Sequence, residues 1–130
     1  MDYSLFYQKN TTSRALVKDC LGAELFHTPS GAPQAEGCAI SLSGTAGITF
    51  LAAAREGRIG VDAELLTRTP PRGFATIFDW TDLEAYCKAS GENLFSLAKS
   101  RPDLAAIKGV KIERREVEGC AVSVCTLNDF

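Results

Sequence analysis

Alternating apolar and polar residues, or short β-compatible apolar runs, indicate β-strands at several places along the chain. These segments are residues 3–7, 48–54, 59–65, 110–117 and 120–127. A period of two residues is typical of strands with one buried face. The second and third segments are joined by a short polar turn, and the last two by Glu118 and Gly119, so we predict two antiparallel hairpins. The first segment is expected to be an edge strand.

Helical segments are indicated by capping residues and by a wider spacing of apolar positions. Residues 11–13 offer hydroxyl groups that cap helix N-termini, and we predict a helix from there through Leu21, ended by Gly22. The spacing of Leu94, Leu97 and Ala98 predicts a short helical segment. Pro102 should limit this segment on its C-terminal side. The prolines and glycines of 27–37 predict an ordered surface loop.

The side chains best suited to chemistry lie on the third predicted strand and on a second predicted helix. Asp62 and Glu64 alternate with apolar neighbours, so both project from one face of the strand. On the helix predicted for residues 80–91, Glu84 and Lys88 are four residues apart and share a face. Paired carboxylates suit a hard divalent cation such as Mg²⁺, with water completing its coordination.

Two motifs of this region resemble the signatures of 4′-phosphopantetheinyl transferases. They are G-V-D-A-E at 60–64 on the strand and W-T-x-x-E-A-x-x-K-x-x-G at 80–91 on the helix. Because a helix and a polar segment precede the first motif, the chain is similar to a shortened member of the surfactin type. The resemblance implies an α+β, transferase-like fold, a single domain over 1–130 built from two small hairpin-and-helix halves, 1–65 and 80–130.

The resemblance also implies an activity and a set of site residues. The 4′-phosphopantetheine arm of coenzyme A would be transferred to a serine of an acyl or peptidyl carrier protein. Mg²⁺ would be held by Asp62, Glu64 and Glu84. Glu84 would also act as the base towards the carrier serine, and Lys88 would contact the phosphate and stabilise the charge on the leaving group.

Segment 38–47 resembles the family's N-x-S-H-S segment, which holds the nucleotide phosphates of coenzyme A. Ser43 and Thr45 keep hydroxyl groups there and are the expected coenzyme A contacts. A polar turn between two strands is an equally open interpretation. The chain departs from the family pattern at Ala32, Gly44 and Leu83, and these changes favour an alternative function. In that alternative the chain is a non-catalytic module that binds a carrier protein or a partner subunit.

Each of these residues also has a purely structural interpretation. Thr81 and Glu84 have the spacing of a capping box, in which Glu84 would fold back to the helix N-terminus. Lys88 could pair with Glu84 across one helical turn. Asp62 and Glu64 could form the solvated face of a half-buried strand.

Composition narrows the classes of protein that fit. The chain has 130 residues, 45% of them hydrophobic and 23% charged, as expected for one globular domain. Five cysteines without C-x-x-C spacing indicate reduced thiols and favour the cytoplasm. We expect no signal peptide and no membrane span, since no apolar run approaches ~18 residues. A net charge of −2 argues against general nucleic-acid binding, and a monomer is favoured.

Overall fold

Residues 2–128, which the computed structural model describes, form antiparallel sheets and helices in an α+β arrangement. The elements in chain order are β1 (Ser4–Lys9), α1 (Ser13–Leu21), β2 (Phe26–His27), β3 (Pro33–Gln34), β4 (Ala39–Thr45), β5 (Ile48–Ala54), β6 (Arg58–Leu65), α2 (Ile77–Ser90), α3 (Leu94–Ser100), a 3₁₀ helix (Leu104–Ala106), β7 (Val110–Val117) and β8 (Cys120–Leu127). The ends of the expected domain, residues 1 and 129–130, lie outside the described residues.

The first sheet has the order β1-β5-β4, with β1 at an edge as predicted. Helix α1 covers one face of this sheet. It begins after Thr12, whose side chain caps the N-terminus, and ends at Gly22, which adopts the left-handed conformation. Leu16 and Val17 of α1 share a hydrophobic cluster with Leu51 of β5. The predicted boundaries of this helix are therefore confirmed.

The second sheet has the order β6-β8-β7. The predicted hairpin of β7 and β8 is confirmed, but the predicted hairpin of β5 and β6 is wrong. Strand β5 is already hydrogen-bonded on both edges, to β1 and β4, so it has no edge left for β6. Strand β6 pairs instead with β8 along its whole length. The sheets divide the chain between β5 and β6, whereas the expected division after Leu65 placed β6 in the first half.

The inward faces of the two sheets pack against each other. Phe50 of β5, Val61 of β6 and Val122 of β8 lie fully buried in one hydrophobic cluster. On the opposite face of the second sheet, α2 packs against Cys125 and Leu127 of β8. The outward face of β6 is therefore the one that meets α2, and it carries the two acidic residues of the strand.

Helix α2 begins before the predicted Trp80. Its capping box uses Thr76 and Asp79, with hydrogen bonds of 3.2 Å and 3.1 Å between their side chains and backbone N–H groups. The alternative capping box of Thr81 and Glu84 is wrong, because both residues lie inside the helix. Two segments have the right spacing, and the upstream one forms the cap. Glu84 is thus left available for contacts with the neighbouring strand.

The C-terminal ends of α2 and α3 agree with the prediction. Gly91 ends α2 in the left-handed conformation, and α3 ends at Arg101, directly before Pro102. Within residues 2–128, every helix is too short or too polar to cross a lipid bilayer.

Gly60 sets the distance between β6 and α2. A Cβ atom at this position would overlap the carbonyl oxygen of Ala85 and lie 2.7 Å from the backbone nitrogen of Ala89. These two alanines are themselves small and buried on the facing side of α2. The strand and the helix therefore approach closely at the turn of α2 that connects Glu84 to Lys88.

We expect Gly60→Ala to lower the free energy of unfolding by about 2 to 3 kcal/mol, because the backbone of α2 must move to admit the methyl group. Gly44→Ala is the matched control, since a Cβ there meets nothing nearer than 3.8 Å and the residue also lies in a strand. Urea denaturation measures both variants. Equal stability of Gly60→Ala and the wild type would contradict the close approach.

Candidate functional site

The acidic face of β6 holds one buried and one half-buried carboxylate. Asp62 is 4% exposed, and Glu64 is more accessible. The Oδ1 atom of Asp62 accepts a hydrogen bond of 3.4 Å from the Ser43 hydroxyl and lies 3.7 Å from the Lys88 ammonium nitrogen. Its Oδ2 atom is buried and has no hydrogen-bond partner among residues 2–128. A solvated strand face, the structural alternative, does not describe Asp62.

Glu84 completes a cluster of three carboxylates, which we call the acidic cluster. Asp62, Glu64 and Glu84 each contribute one oxygen, and these oxygens lie within 4.8 Å of one another. The predicted convergence of the strand and helix side chains is confirmed. Since Mg²⁺–oxygen distances are about 2.1 Å, the three oxygens would approach one another further if they bound one ion.

Burial and the nearby Glu84 carboxylate both disfavour the ionised form of Asp62. Burial raises the pKa of Asp62 to about 8, and so do the proton that Asp62 could share with the nearby Glu84 carboxylate and the negative charge of Glu84. The positive charge of Lys88 opposes this rise without cancelling it. The negative charge of such a buried carboxylate is neutralised either by a proton or by a cation placed between the oxygens.

Lys88 connects two strands that belong to different sheets. Its ammonium donates a 3.0 Å hydrogen bond to the carbonyl oxygen of Leu42 on β4 and a 2.9 Å bond to that of Val61 on β6. The structural alternative, in which Lys88 only pairs with Glu84, does not account for these contacts. Two of the three ammonium protons are used by carbonyl groups, and Asp62 lies on a third side.

Serine hydroxyls join the same two strands, along a line that we call the seam between β4 and β6. Ser41 accepts a 2.9 Å hydrogen bond from the backbone N–H of Val61, and Ser43 accepts one of 3.1 Å from that of Ala63. The hydroxyls thus satisfy backbone donors of β6 that face no partner strand on this edge. Ser41 was not predicted as a site residue, since a serine alternating in a strand carries no local signal of such a contact.

The predicted coenzyme A contacts lie on a strand. Residues Ala39–Thr45 form β4, so most of segment 38–47 is strand, and the strand-to-strand turn of the alternative interpretation is confined to Ala46 and Gly47. The Ser43 hydroxyl is hydrogen-bonded within the seam. Thr45 is half-buried at the end of β4, opposite Ile48. Their role towards coenzyme A stays a prediction.

A groove of about 1210 Å³ lies beside the seam and is lined in part by Ser41 and Leu42 of β4. One wall is formed by the predicted loop 27–37 together with the short strands β2 and β3, and the other by the start of β6 and the end of α2. Arg58 and Lys88 place basic side chains along it. Since Lys88 also lies beside Asp62, it marks the junction between groove and acidic cluster. A groove of this size accepts a nucleotide-sized ligand.

Arg68 forms an ion pair with the acidic cluster that the sequence analysis did not predict. Its guanidinium lies 2.7 Å from the Oε2 atom of Glu64. The spacing of four residues suggests an ion pair only within a helix. Here the pair forms because a turn, closed by a 3.0 Å bond from the Arg68 N–H to the Leu65 carbonyl, brings the chain back over the end of β6.

A second charged cluster, formed by Asp82, Arg114 and Ser123, differs from the acidic cluster in that its carboxylate is paired with an arginine. Two guanidinium nitrogens of Arg114 donate to the Oδ2 atom of Asp82, at 3.0 and 2.7 Å, and one of them also lies 3.3 Å from Oδ1. Ser123 donates to Oδ1 of the same carboxylate at 2.6 Å. Thr81 and Ser123 share a further bond of 2.7 Å. In this cluster the carboxylate is neutralised by an arginine and hydrogen-bonded, which is a structural arrangement. The unpaired oxygen of Asp62 has no such partner among the described residues.

No protein-family model matches the chain, and no curated protein matches it at a significant level. Membership of the transferase family therefore stays a prediction that depends on the two motifs.

Proposed function

We propose that the chain transfers the 4′-phosphopantetheine arm of coenzyme A to a serine of an acyl or peptidyl carrier protein, with Mg²⁺ as cofactor. The observation that carries this proposal is the convergence of Asp62, Glu64 and Glu84, with a buried Asp62 oxygen that has no partner among residues 2–128. Lys88 and the groove adjoin this cluster. The site is assembled within one chain, which is compatible with a monomer, and the proposed location is the cytoplasm.

The acidic cluster fits a hard divalent cation. Its donors are carboxylate oxygens, the ligands that Mg²⁺ prefers, and one of them is buried without a compensating hydrogen bond. Asp62, Glu64 and Glu84 would hold the ion. When bound, Mg²⁺ would neutralise negative charge on the pyrophosphate of coenzyme A.

The remaining chemistry is assigned to Glu84 and Lys88. Glu84 is half-buried on α2 and accepts the proton of the carrier serine, directly or through one water. The serine oxygen then forms a bond to the phosphorus that carries the pantetheine arm, and the bond from this phosphorus to the bridging oxygen breaks. The products are the modified serine and 3′,5′-ADP. Lys88 lies at the junction with the groove, where its positive charge stabilises the leaving phosphate.

A specific observation favours the alternative, a non-catalytic module that binds a carrier protein or a partner subunit. Ser43 and Lys88 are two of the residues assigned to substrate phosphates. Both are already hydrogen-bonded to backbone groups of the seam between β4 and β6. In this alternative the seam residues only stabilise the fold, and the chain binds a partner without modifying it.

Mass spectrometry of carrier proteins separates the two functions. The purified chain is incubated with coenzyme A, Mg²⁺ and a panel of apo-carrier proteins. We expect the mass of at least one carrier to increase by one phosphopantetheine group, and this increase to disappear when EDTA removes the metal.

The control is the same carrier with its acceptor serine replaced by alanine, which should gain no mass. A carrier that binds the chain in a pull-down but is never modified would contradict the transferase and support the binding module.

A further inference from the structure

We infer that Arg68 is a phosphate-contacting residue of the acidic cluster, and that it competes with the metal ion for Glu64 until the metal binds. This inference rests on the proposed function, because it assigns a role towards the same metal and pyrophosphate. The contact of 2.7 Å between the Arg68 guanidinium and Glu64 carries it. The Arg68 side chain is 44% exposed, so part of the guanidinium faces solvent.

Arg68 lies within the electrostatic influence of the whole cluster. The hydrogen bond to Glu64 raises the pKa of Arg68, and the negative charges of Glu64, Glu84 and Asp62 raise it further. The cluster carries up to three negative charges, and the other nearby cation, Lys88, is fastened to two carbonyl groups of the seam. Among the described residues, Arg68 is thus the cation beside the cluster whose side chain contacts only a carboxylate and extends into solvent.

Guanidinium chemistry suits this position. The group has five N–H donors in a planar fork, and the pair with Glu64 leaves donors that can reach the oxygens of a phosphate. A metal ion held by Glu64 would weaken the pull of this carboxylate on Arg68, since the ion neutralises its charge. The guanidinium of Arg68 would then have donors available for a phosphate bound at this site.

This role predicts effects of opposite sign on two ligands. In Arg68→Ala, a positive charge is removed from beside a cation site, so we expect Mn²⁺, used as a probe for Mg²⁺, to bind about 3- to 10-fold more tightly. Inorganic pyrophosphate should bind the Mn²⁺-loaded variant about tenfold or more weakly, because a charge-assisted hydrogen bond is lost. Electron paramagnetic resonance measures free Mn²⁺, and calorimetric titration measures pyrophosphate.

Two further variants make the test specific. Arg68→Lys keeps the charge but not the planar fork, so Mn²⁺ affinity should return to the wild-type value while pyrophosphate affinity is restored only in part. Arg72→Ala removes an equal charge from an exposed position of the same connection, and it should change neither affinity.

The outcomes distinguish this inference from the proposed function. If the wild type binds no Mn²⁺, the metal site is rejected and the role of Arg68 is rejected with it. If the wild type binds Mn²⁺ but Arg68→Ala leaves both affinities unchanged, or weakens Mn²⁺ binding, only the role of Arg68 is overturned. In that case the arginine serves merely to hold Glu64 in place, and the proposed function stands.

Discussion

Glu84→Gln is expected to slow carrier modification by about 100-fold or more, which corresponds to about 2.7 kcal/mol of transition-state stabilisation. Glutamine has the shape of glutamate but neither accepts the serine proton effectively nor carries the charge that a metal ligand needs. Glu84 lies inside α2 and makes no part of its capping box, so the helix should be unaffected. The measurement is the initial rate of arm transfer, with thermal melts to confirm that the variant is folded.

Two companion variants define what this loss means. Glu56→Gln removes an equal charge from the exposed turn between β5 and β6 and should leave the rate unchanged. Lys88→Ala should also slow transfer by about 100-fold, but unlike Glu84→Gln it should lower stability by about 1 kcal/mol, because the carbonyls of Leu42 and Val61 lose their donor. Wild-type rates in both Glu84→Gln and Lys88→Ala would reject their catalytic roles.

Asp62→Asn should stabilise the metal-free chain while it impairs the site. Because the pKa of Asp62 is raised from 3.8 to about 8, the unfolded chain releases this proton at a lower pH than the folded chain does. The contribution of Asp62 to wild-type stability is therefore most favourable below about pH 4 and declines as the pH rises towards 8. Asparagine does not ionise, so the variant should be more stable by several kcal/mol at pH 7.5, because the wild type loses about 1.4 kcal/mol for each pH unit above the pKa of the unfolded chain.

Metal binding should change in the opposite direction. Asp62→Asn removes one of the three carboxylates, and we expect Mn²⁺ affinity to fall at least tenfold and arm transfer to be lost with it. Urea denaturation in EDTA at pH 4 and pH 7.5 tests the stability effect, and the two proteins should differ least at the lower pH. A difference in stability that does not change with pH would contradict the raised pKa, and unchanged Mn²⁺ binding would contradict the metal site. The site is thus expected to reduce the stability of the metal-free fold, as functional sites often do.

The local parts of this structure could be predicted from the sequence. Strand alternation in β6 places Asp62 and Glu64 on one face, and the four-residue spacing of Glu84 and Lys88 places them on one face of α2. Gly22 ends α1 as predicted, because a helix that stops in the left-handed conformation favours glycine. These features depend on backbone periodicity and on residues that are close together along the chain. They can therefore be predicted from one sequence.

The partners of each element were decided only by the tertiary structure. Whether β6 pairs with β5 or with β8 depends on which strand edges remain free, and β5 had already used both of its edges. The seam joins Ser41 to Val61 and Lys88 to Leu42, residues that are 20 and 46 positions apart. Such contacts follow from how two sheets and a helix pack together. For the same reason the close approach at Gly60, and with it the meeting of all three carboxylates, is a property of the folded chain that no local pattern specifies.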